Sequence, residues 1–242
     1  MRIEVVKDYE SVSRRAEALV VRALRRKPSL LLGVATGETP ARAYERLGAR
    51  RAKSPDLFRQ LRVVGLDEWM GLPARHPGSC ERYIRGRILG PLHVPRSRYR
   101  GFRTGSHDPQ AEARRMAQWL DREGPLDLCI LGLGRNGHLL MNEPAGALRP
   151  RAHVARLSAS TRTHSMLAGL RRQPHRGLTL GMAEILQSRA ILLLVSGRHK
   201  RAALARMREG VVSTRCPASA LWLHPKVTVL CDREAAQGRE SG

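Results

Sequence analysis

Three short segments of the 242-residue chain hold residues whose types and spacing suit chemistry. In LGLGRNGHLLMNEP, Gly132, Gly134 and Gly137 allow close backbone approach to a ligand, and His138 and Glu143 follow, five residues apart. An imidazole titrates near neutrality and can move a proton both ways within one cycle, and a nearby carboxylate can orient it. In LRVVGLDEWMGLP, Asp67 and Glu68 end an otherwise apolar run. A carboxyl partly withdrawn from water has a raised pKa, which suits a base that takes a proton from carbon. Successive strand residues face opposite ways. One acid is therefore expected at the upper edge of a sheet, and the other can face a neighbour, cap a helix or pair with an arginine. In LLLGVATGETPARAYERL, Thr36, Gly37, Glu38 and Thr39 lead into a helix with Pro40 in its first turn. Free helical N–H groups, the helix dipole and the threonine hydroxyls together form an anion site, and an ordinary turn with Thr39 as N-cap is the plainer alternative. The segment is neither a Walker A loop nor a dinucleotide G-x-G-x-x-G. The H-x4-E spacing is not a helical ligand pair and no second His or Cys accompanies it, so no metal is expected.

These segments must be positioned by the elements that precede them. Short apolar runs alternate with amphipathic stretches, which predicts an α/β fold: a single-domain open, mostly parallel sheet flanked by helices, Rossmann-like. Strands are expected at 30–36, 61–67, 126–134, 191–195 and 227–231, apolar on both faces as in a sheet covered on each side. Helices are expected at about 11–26, 39–49, 80–89, 109–122 and 200–208. The N-terminal MRIEVV is strand-like rather than a signal peptide. One domain over 1–232 is expected, with a polar tail at 233–242 that frays. Ligands of open α/β sheets bind beyond the carboxyl ends of the strands, where all three segments fall.

Composition bounds the partners. Lys and Arg number 44 against 21 Asp and Glu, a formal net charge of +23 that would suit a nucleic-acid binder. However, 39 of those cations are arginine and only five lysine, spread along the chain in pairs such as Arg25–Arg26 and Arg114–Arg115. Aromatic residues make up 4 %, few for base stacking. No specific nucleic acid is expected, and no membrane, because no apolar run approaches the roughly 18 residues a span needs. Cys80, Cys129, Cys216 and Cys231 are isolated and form no C-x-x-C pair. Buried free thiols in a reducing, cytoplasmic compartment are expected.

The segments ATGETP, LDEW-x-GLP-x-x-HP-x-S, LGLGRNGHLLMNEP, LTLGMAEIL, LLVSGRHK and PASALWLHP occur in this order over almost the whole chain. Together they resemble the glucosamine-6-phosphate deaminase/isomerase family, which shares a fold with 6-phosphogluconolactonase. LDLCILGLGRNGH and PASALWLH resemble its galactosamine-6-phosphate deaminase/isomerase branch. Asn-Glu-Pro after the histidine favours a deaminase over the lactonases, whose corresponding segment usually differs. The resemblance implies ring opening of an amino-sugar 6-phosphate by His138 with Glu143, and proton transfer from C2 to C1 by Asp67. It implies a substrate-binding set of Thr36, Gly37, Glu38, Thr39, Gly137 and Lys200, with the phosphate on Thr36 to Thr39 and Lys200. No metal or organic cofactor is implied, and a homo-oligomer is possible.

Three departures from the family pattern stand out. Asn136 occupies a position that is commonly Asp; its oxygen is expected to accept the imidazole N–H, without stabilising an imidazolium by charge. Leu167 replaces a phosphate-binding Arg of the glucosamine enzymes, for which Arg162, Arg171 or Arg172 are possible substitutes. His153 and Ala155 stand where some relatives carry basic residues for allosteric control, so activation by an acetylated sugar phosphate is not expected. The reaction that the resemblance implies is isomerisation with deamination of galactosamine 6-phosphate to tagatose 6-phosphate and ammonia. The competing readings are deamination of glucosamine 6-phosphate to fructose 6-phosphate, lactone hydrolysis with His138 activating water, and a non-catalytic sugar-phosphate sensor or basic nucleic-acid-binding protein.

Overall fold

The computed structural model describes residues 1–73 and 75–237. Its strands are β1 (Arg2–Val6), β2 (Leu31–Val34), β3 (Arg62–Gly65), β4 (Asp67–Trp69), β5 (Tyr99–Arg100), β6 (Leu128–Gly132), β7 (His153–Arg156), β8 (Arg176–Thr179), β9 (Ile191–Val195) and β10 (Val227–Asp232). The helices are α1 (Tyr9–Arg26), α2 (Glu38–Lys53), α3 (Cys80–Ile84), α4 (Pro109–Glu123), α5 (Ala159–Arg162), α6 (Met182–Leu186), α7 (Arg201–Arg208) and α8 (Arg233–Ala236). Seven strands build one sheet in the order β1-β10-β9-β6-β2-β3-β5, with every pair parallel. The expected α/β class and open parallel sheet are what forms.

The apolar runs are continuous because both faces are covered. Along β2, Leu32 faces a core with Val12, Leu24, Tyr44 and Leu47 of α1 and α2. Its neighbour Leu31 faces the opposite core, with Met116 of α4, Ile185 of α6 and Leu204 of α7. Ile130 and Leu131 of β6, and Leu192 and Leu193 of β9, divide between the two cores in the same way. This is the period-2 alternation of a strand applied to a two-sided sheet. Truncating one of these leucines to alanine costs about 2–5 kcal/mol.

Several boundaries differ from the sequence reading. The run 61–67 is not one strand: β3 stops at Gly65, and β4 starts at Asp67 in a second, antiparallel sheet ordered β4-β8-β7. That sheet covers a third apolar cluster around Trp69, Leu72, Met141 and Leu167. Its strands are too short and mixed to give an alternation signal. The helix expected from Thr39 begins at Glu38, with Gly37 as N-cap. The stretch 80–89 divides into α3 and a π-helical turn at Arg85–Leu89, and a 3-10 turn at Arg198–Lys200 precedes α7. The chain also does not leave the fold at Arg233. The Asp232 carboxylate caps α8 by accepting the Ala235 N–H at 2.8 Å, and Ala235 is buried. Residues 238–242 of the expected tail lie outside the described residues. Among the described residues no helix is long and apolar enough to cross a membrane.

The connections run outward from β2 to β3 and β5 on one side, then return to β6 and run through β9 to β10 on the other. Where this reversal occurs, between β2 and β6, the loops leaving the carboxyl ends diverge and leave a crevice.

Candidate active site

A cavity of about 470 Å³ occupies that crevice. It is lined by the turn after β2, the start of β4, the turn after β6, the turn after β9 and the segment around α5. Asp67, His138, Thr36, Gly37, Glu38, Thr39 and Lys200, all expected from the sequence, line it together.

Asp67 sits where the chain passes from one sheet to the other, and its Oδ1 is buried without a hydrogen-bond partner among the described residues. Burial first, and the neighbouring Glu68 carboxylate second, push its pKa up to about 7. Glu68 points the other way, as the strand alternation requires. Its carboxylate accepts the N–H groups of Trp69, Cys80 and Glu81 at 2.8, 2.8 and 2.7 Å. Glu68 therefore pins the start of α3 beneath Asp67. Of the two acids, one is free for chemistry and the other is structural.

His138 rests on Gly134. A β-carbon built at Gly134 would lie 2.4 Å from three atoms of the imidazole, so only glycine permits this stacking. The loop is closed by the Gly134 N–H to the His138 carbonyl at 3.0 Å and by the Gly137 N–H to the Gly134 carbonyl at 3.0 Å. His138 Nδ1 lies 3.4 Å from Glu143 Oε2 and 3.3 Å from Thr161 Oγ1. Burial alone would raise the Glu143 pKa, but His138, with Thr161 and Asn136, outweighs it and holds the carboxyl at about 2. Glu143 is thus ionised at any working pH. Its carboxylate can accept the hydrogen bond of the Nδ1–H, which leaves Nε2 as the ring nitrogen able to exchange a proton.

Asn136 does not accept the imidazole N–H as expected. Its Oδ1 accepts the His138 backbone N–H at 3.1 Å, and its Nδ2 donates to Glu143 Oε2 at 2.8 Å. The side chain is directed away from the ring because Glu143 already occupies Nδ1. Asn136 and Glu143 stand behind His138 rather than on the cavity wall. Gly137 is likewise not among the lining residues; its carbonyl accepts the Ala218 N–H at 2.9 Å. That bond joins the GRNGH loop to the 3-10 segment Pro217–Leu223, so the two segments that carry the branch resemblance touch each other.

The same cavity also carries groups that can hold an anion. Gly37 has φ +111°, a conformation that side chains disfavour, and as N-cap it supplies no side-chain acceptor to α2. The first amides of α2 therefore keep their donors for a ligand. Three tyrosine hydroxyls fix this turn: Tyr44 donates to the Ala35 carbonyl at 2.8 Å, Tyr83 to Gly37 at 2.6 Å and Tyr9 to Glu38 at 2.6 Å. The carbonyls of Ala35, Gly37 and Glu38 are thereby satisfied within the protein. Lys200 faces the same space, its pKa lowered to about 8 by burial and then by Arg135. Among the described residues neither cation has a carboxylate within salt-bridge distance. Under Lys200, Asp232 accepts the Ser196 hydroxyl and the Gly197 N–H, the latter at 3.0 Å.

The possible substitutes for an arginine at position 167 lie elsewhere. Arg162, Arg171 and Arg172 line a separate cavity with His175, and Arg162 Nη1 is 3.1 Å from His175 Nδ1. Leu167 itself is fully buried in the third apolar cluster. Sequence reasoning missed Arg135, Thr161, His164 and Asp232. Arg135 adjoins the expected Asn136 and could have been found from the strand-end rule alone. The others depend on packing between distant segments.

Comparisons with known proteins identify the family. Residues 7–230 match the family described as glucosamine-6-phosphate isomerases/6-phosphogluconolactonase. The chain is 40 % identical over 222 residues to AgaI of Escherichia coli (strain K12), which carries a deaminase name, covering 92 % of this chain and 88 % of the relative. It is 37 % identical over 241 residues to glucosamine-6-phosphate deaminase 1 of Bacillus subtilis (strain 168), covering 99 % and 100 %. The solved structure of a monomeric glucosamine-6-phosphate deaminase aligns with a TM-score of 0.91 at 37 % identity over 98 % of this chain and 99 % of that one. The 6-phosphogluconolactonase of Trypanosoma brucei aligns with a TM-score of 0.77 at 21 % identity over 97 % of each, a likeness of fold. With the family match spanning residues 7–230 and relatives this similar over nearly their whole lengths, the chain belongs to the glucosamine-6-phosphate isomerase/6-phosphogluconolactonase family.

Proposed function

We propose that the protein is an amino-sugar 6-phosphate deaminase/isomerase that prefers galactosamine 6-phosphate and releases tagatose 6-phosphate and ammonia. The observation that carries this reading is the Asp67 carboxyl, with its Oδ1 buried and unpartnered and its pKa pushed up to about 7, sharing one cavity with Lys200, Arg135 and His138, which Glu143 backs.

The sugar ring binds with its phosphate toward the α2 amides and Lys200. His138 Nε2 takes the proton of the C1 hydroxyl and returns one to the ring oxygen, so the C1–O5 bond breaks and an aldehyde forms. Ionised Asp67 removes the C2 proton, the electron pair moves toward C1, and O1 takes a proton from the C2 ammonium group to give a neutral enolamine. Asp67 then delivers its proton to C1, and the nitrogen lone pair forms the C2 imine. Water adds to C2, ammonia leaves, and a ketose 6-phosphate remains. The balance is one water consumed and one ammonia released, with no oxidation.

The galactosamine preference is supported by the GRNGH loop and the PASALWLH segment, which meet at Gly137 and Ala218, and by the similarity to AgaI. Four buried free thiols suit a reducing compartment, and the cytoplasm is proposed as its place. The test is ammonia release from galactosamine 6-phosphate and glucosamine 6-phosphate side by side. Release from neither overturns the reaction; a higher kcat/KM for the glucosamine epimer overturns the preference. Asp67→Asn is expected to lower kcat by at least about 10³-fold while substrate still binds. Retained turnover in that variant would remove Asp67 as the base.

A further inference from the structure

His164 lies in the segment between α5 and β8 and lines the cavity together with Lys200. Its backbone is held in both directions: its N–H donates to the Thr161 carbonyl at 3.1 Å, and its carbonyl accepts the Leu167 N–H at 2.9 Å. Leu167 anchors the segment in the third apolar cluster, and the His164 ring lies against Trp69 with centroids 5.9 Å apart. The imidazole has little freedom to leave.

Its tautomer follows from one bond. His164 Nδ1 accepts the Met166 N–H at 3.2 Å, so in the neutral ring the proton sits on Nε2. That Nε2 lies 3.4 Å from where a β-carbon of Gly37 would be, beside the turn that opens α2. Among the described residues Nε2 has no hydrogen-bond partner. The fields of Glu38 and Lys200 both act on the ring, which places it with the anion-binding groups.

We propose that His164 is a substrate-binding residue whose Nε2–H donates to a phosphate oxygen, completing a site otherwise made by the first α2 amides and Lys200. This deepens the proposed function and rests on reading the cavity as a sugar-phosphate site. A neutral donor suits the place: it adds a hydrogen bond without a third positive charge beside Lys200 and Arg135. Because the phosphate is remote from the reacting carbons, the bond is present equally in ground and transition states. Its loss should raise KM and leave kcat nearly unchanged.

The test is calorimetric titration of the full chain with inorganic phosphate at pH 7.5, together with steady-state kinetics, for wild type, His164→Ala and His164→Gln. A hydrogen bond to a charged group predicts about tenfold weaker phosphate binding for His164→Ala. KM should rise by a similar factor and kcat should stay within about twofold. His164→Gln, whose amide N–H can reach the Nε2 position, should recover most of the affinity. Unchanged phosphate affinity in His164→Ala overturns the proposal, as does a wild type that binds no phosphate. An equal loss in both variants accompanied by a fall in Tm also overturns it, since that marks a packing role. If neither sugar phosphate yields ammonia but phosphate binding depends on His164 as stated, the reaction assignment fails and this inference stands.

Discussion

At the scale of single residues, protonation of Asp67 and Lys200 sets the pH response. Asp67 must be ionised to accept a proton, so kcat/KM should fall about tenfold per unit below pH about 7. Lys200 must be charged to hold a phosphate, so binding should weaken above pH about 8. A narrow bell in kcat/KM is expected, and Lys200→Met should remove its alkaline side while raising KM. A bell that keeps both limbs in Lys200→Met would assign the alkaline limb elsewhere. The same Asp67 shift bears on stability. The folded state holds the Asp67 proton up to pH about 7, whereas the unfolded chain releases it near 3.8. Stability is therefore lost progressively as pH rises from about 4 to about 7, by up to about 4 kcal/mol. Asp67→Asn should accordingly raise the unfolding free energy at pH 8, and that gain should vanish by pH about 4 in urea titrations. Asp67, His138 and Glu143 were legible in the sequence because their types stand out at strand ends. The geometry of Asn136 was not, because the choice of partner for its oxygen depended on Glu143 already occupying the imidazole.

At the scale of elements, the site depends on how its turns are held from behind. Glu68 accepts three backbone N–H groups and fixes α3, while its charge also helps raise Asp67. Glu68→Gln keeps the size but removes the charge. It should lower Tm and move the acid limb of kcat/KM to lower pH, and a limb that stays in place would rule out the electrostatic part. The turn opening α2 is braced by Tyr9, Tyr44 and Tyr83. Tyr83→Phe frees the Gly37 carbonyl and should raise KM by about threefold to tenfold with kcat nearly unchanged. Equal KM values for the two proteins would count against a bracing role. β2, β3, β6, β9 and β10 were readable from their apolar runs. β5, two residues long, was not, and neither was the β4-β8-β7 sheet, because the short strands DEW, HVAR and RGLT mix polar with apolar residues and carry too little pattern to separate them from loops. The tyrosines were invisible for a different reason: residues 9, 44 and 83 converge only after α1, α2 and α3 have docked.

At the scale of the whole molecule, the +23 charge is spread along the chain. Twelve of the 39 arginines pair with carboxylates among the described residues, as in the cluster where Glu10 and Glu17 bind Arg42, Arg46 and Arg50. Binding to DNA should therefore be weak, without sequence preference, and should fall steeply with salt in filter assays. A marked preference for one sequence would contradict this. The order of the main sheet has a further consequence. Among the described residues β1 pairs with β10 alone, and β10 lies between β1 and β9. The strand that precedes the other nine therefore has no sheet partner until the strand that follows them all has been made. The same late strand ends in Asp232, which holds the turn below Lys200. β10 thus both gives β1 its partner and supports the turn that carries Lys200, and a chain that stops before β10 lacks both.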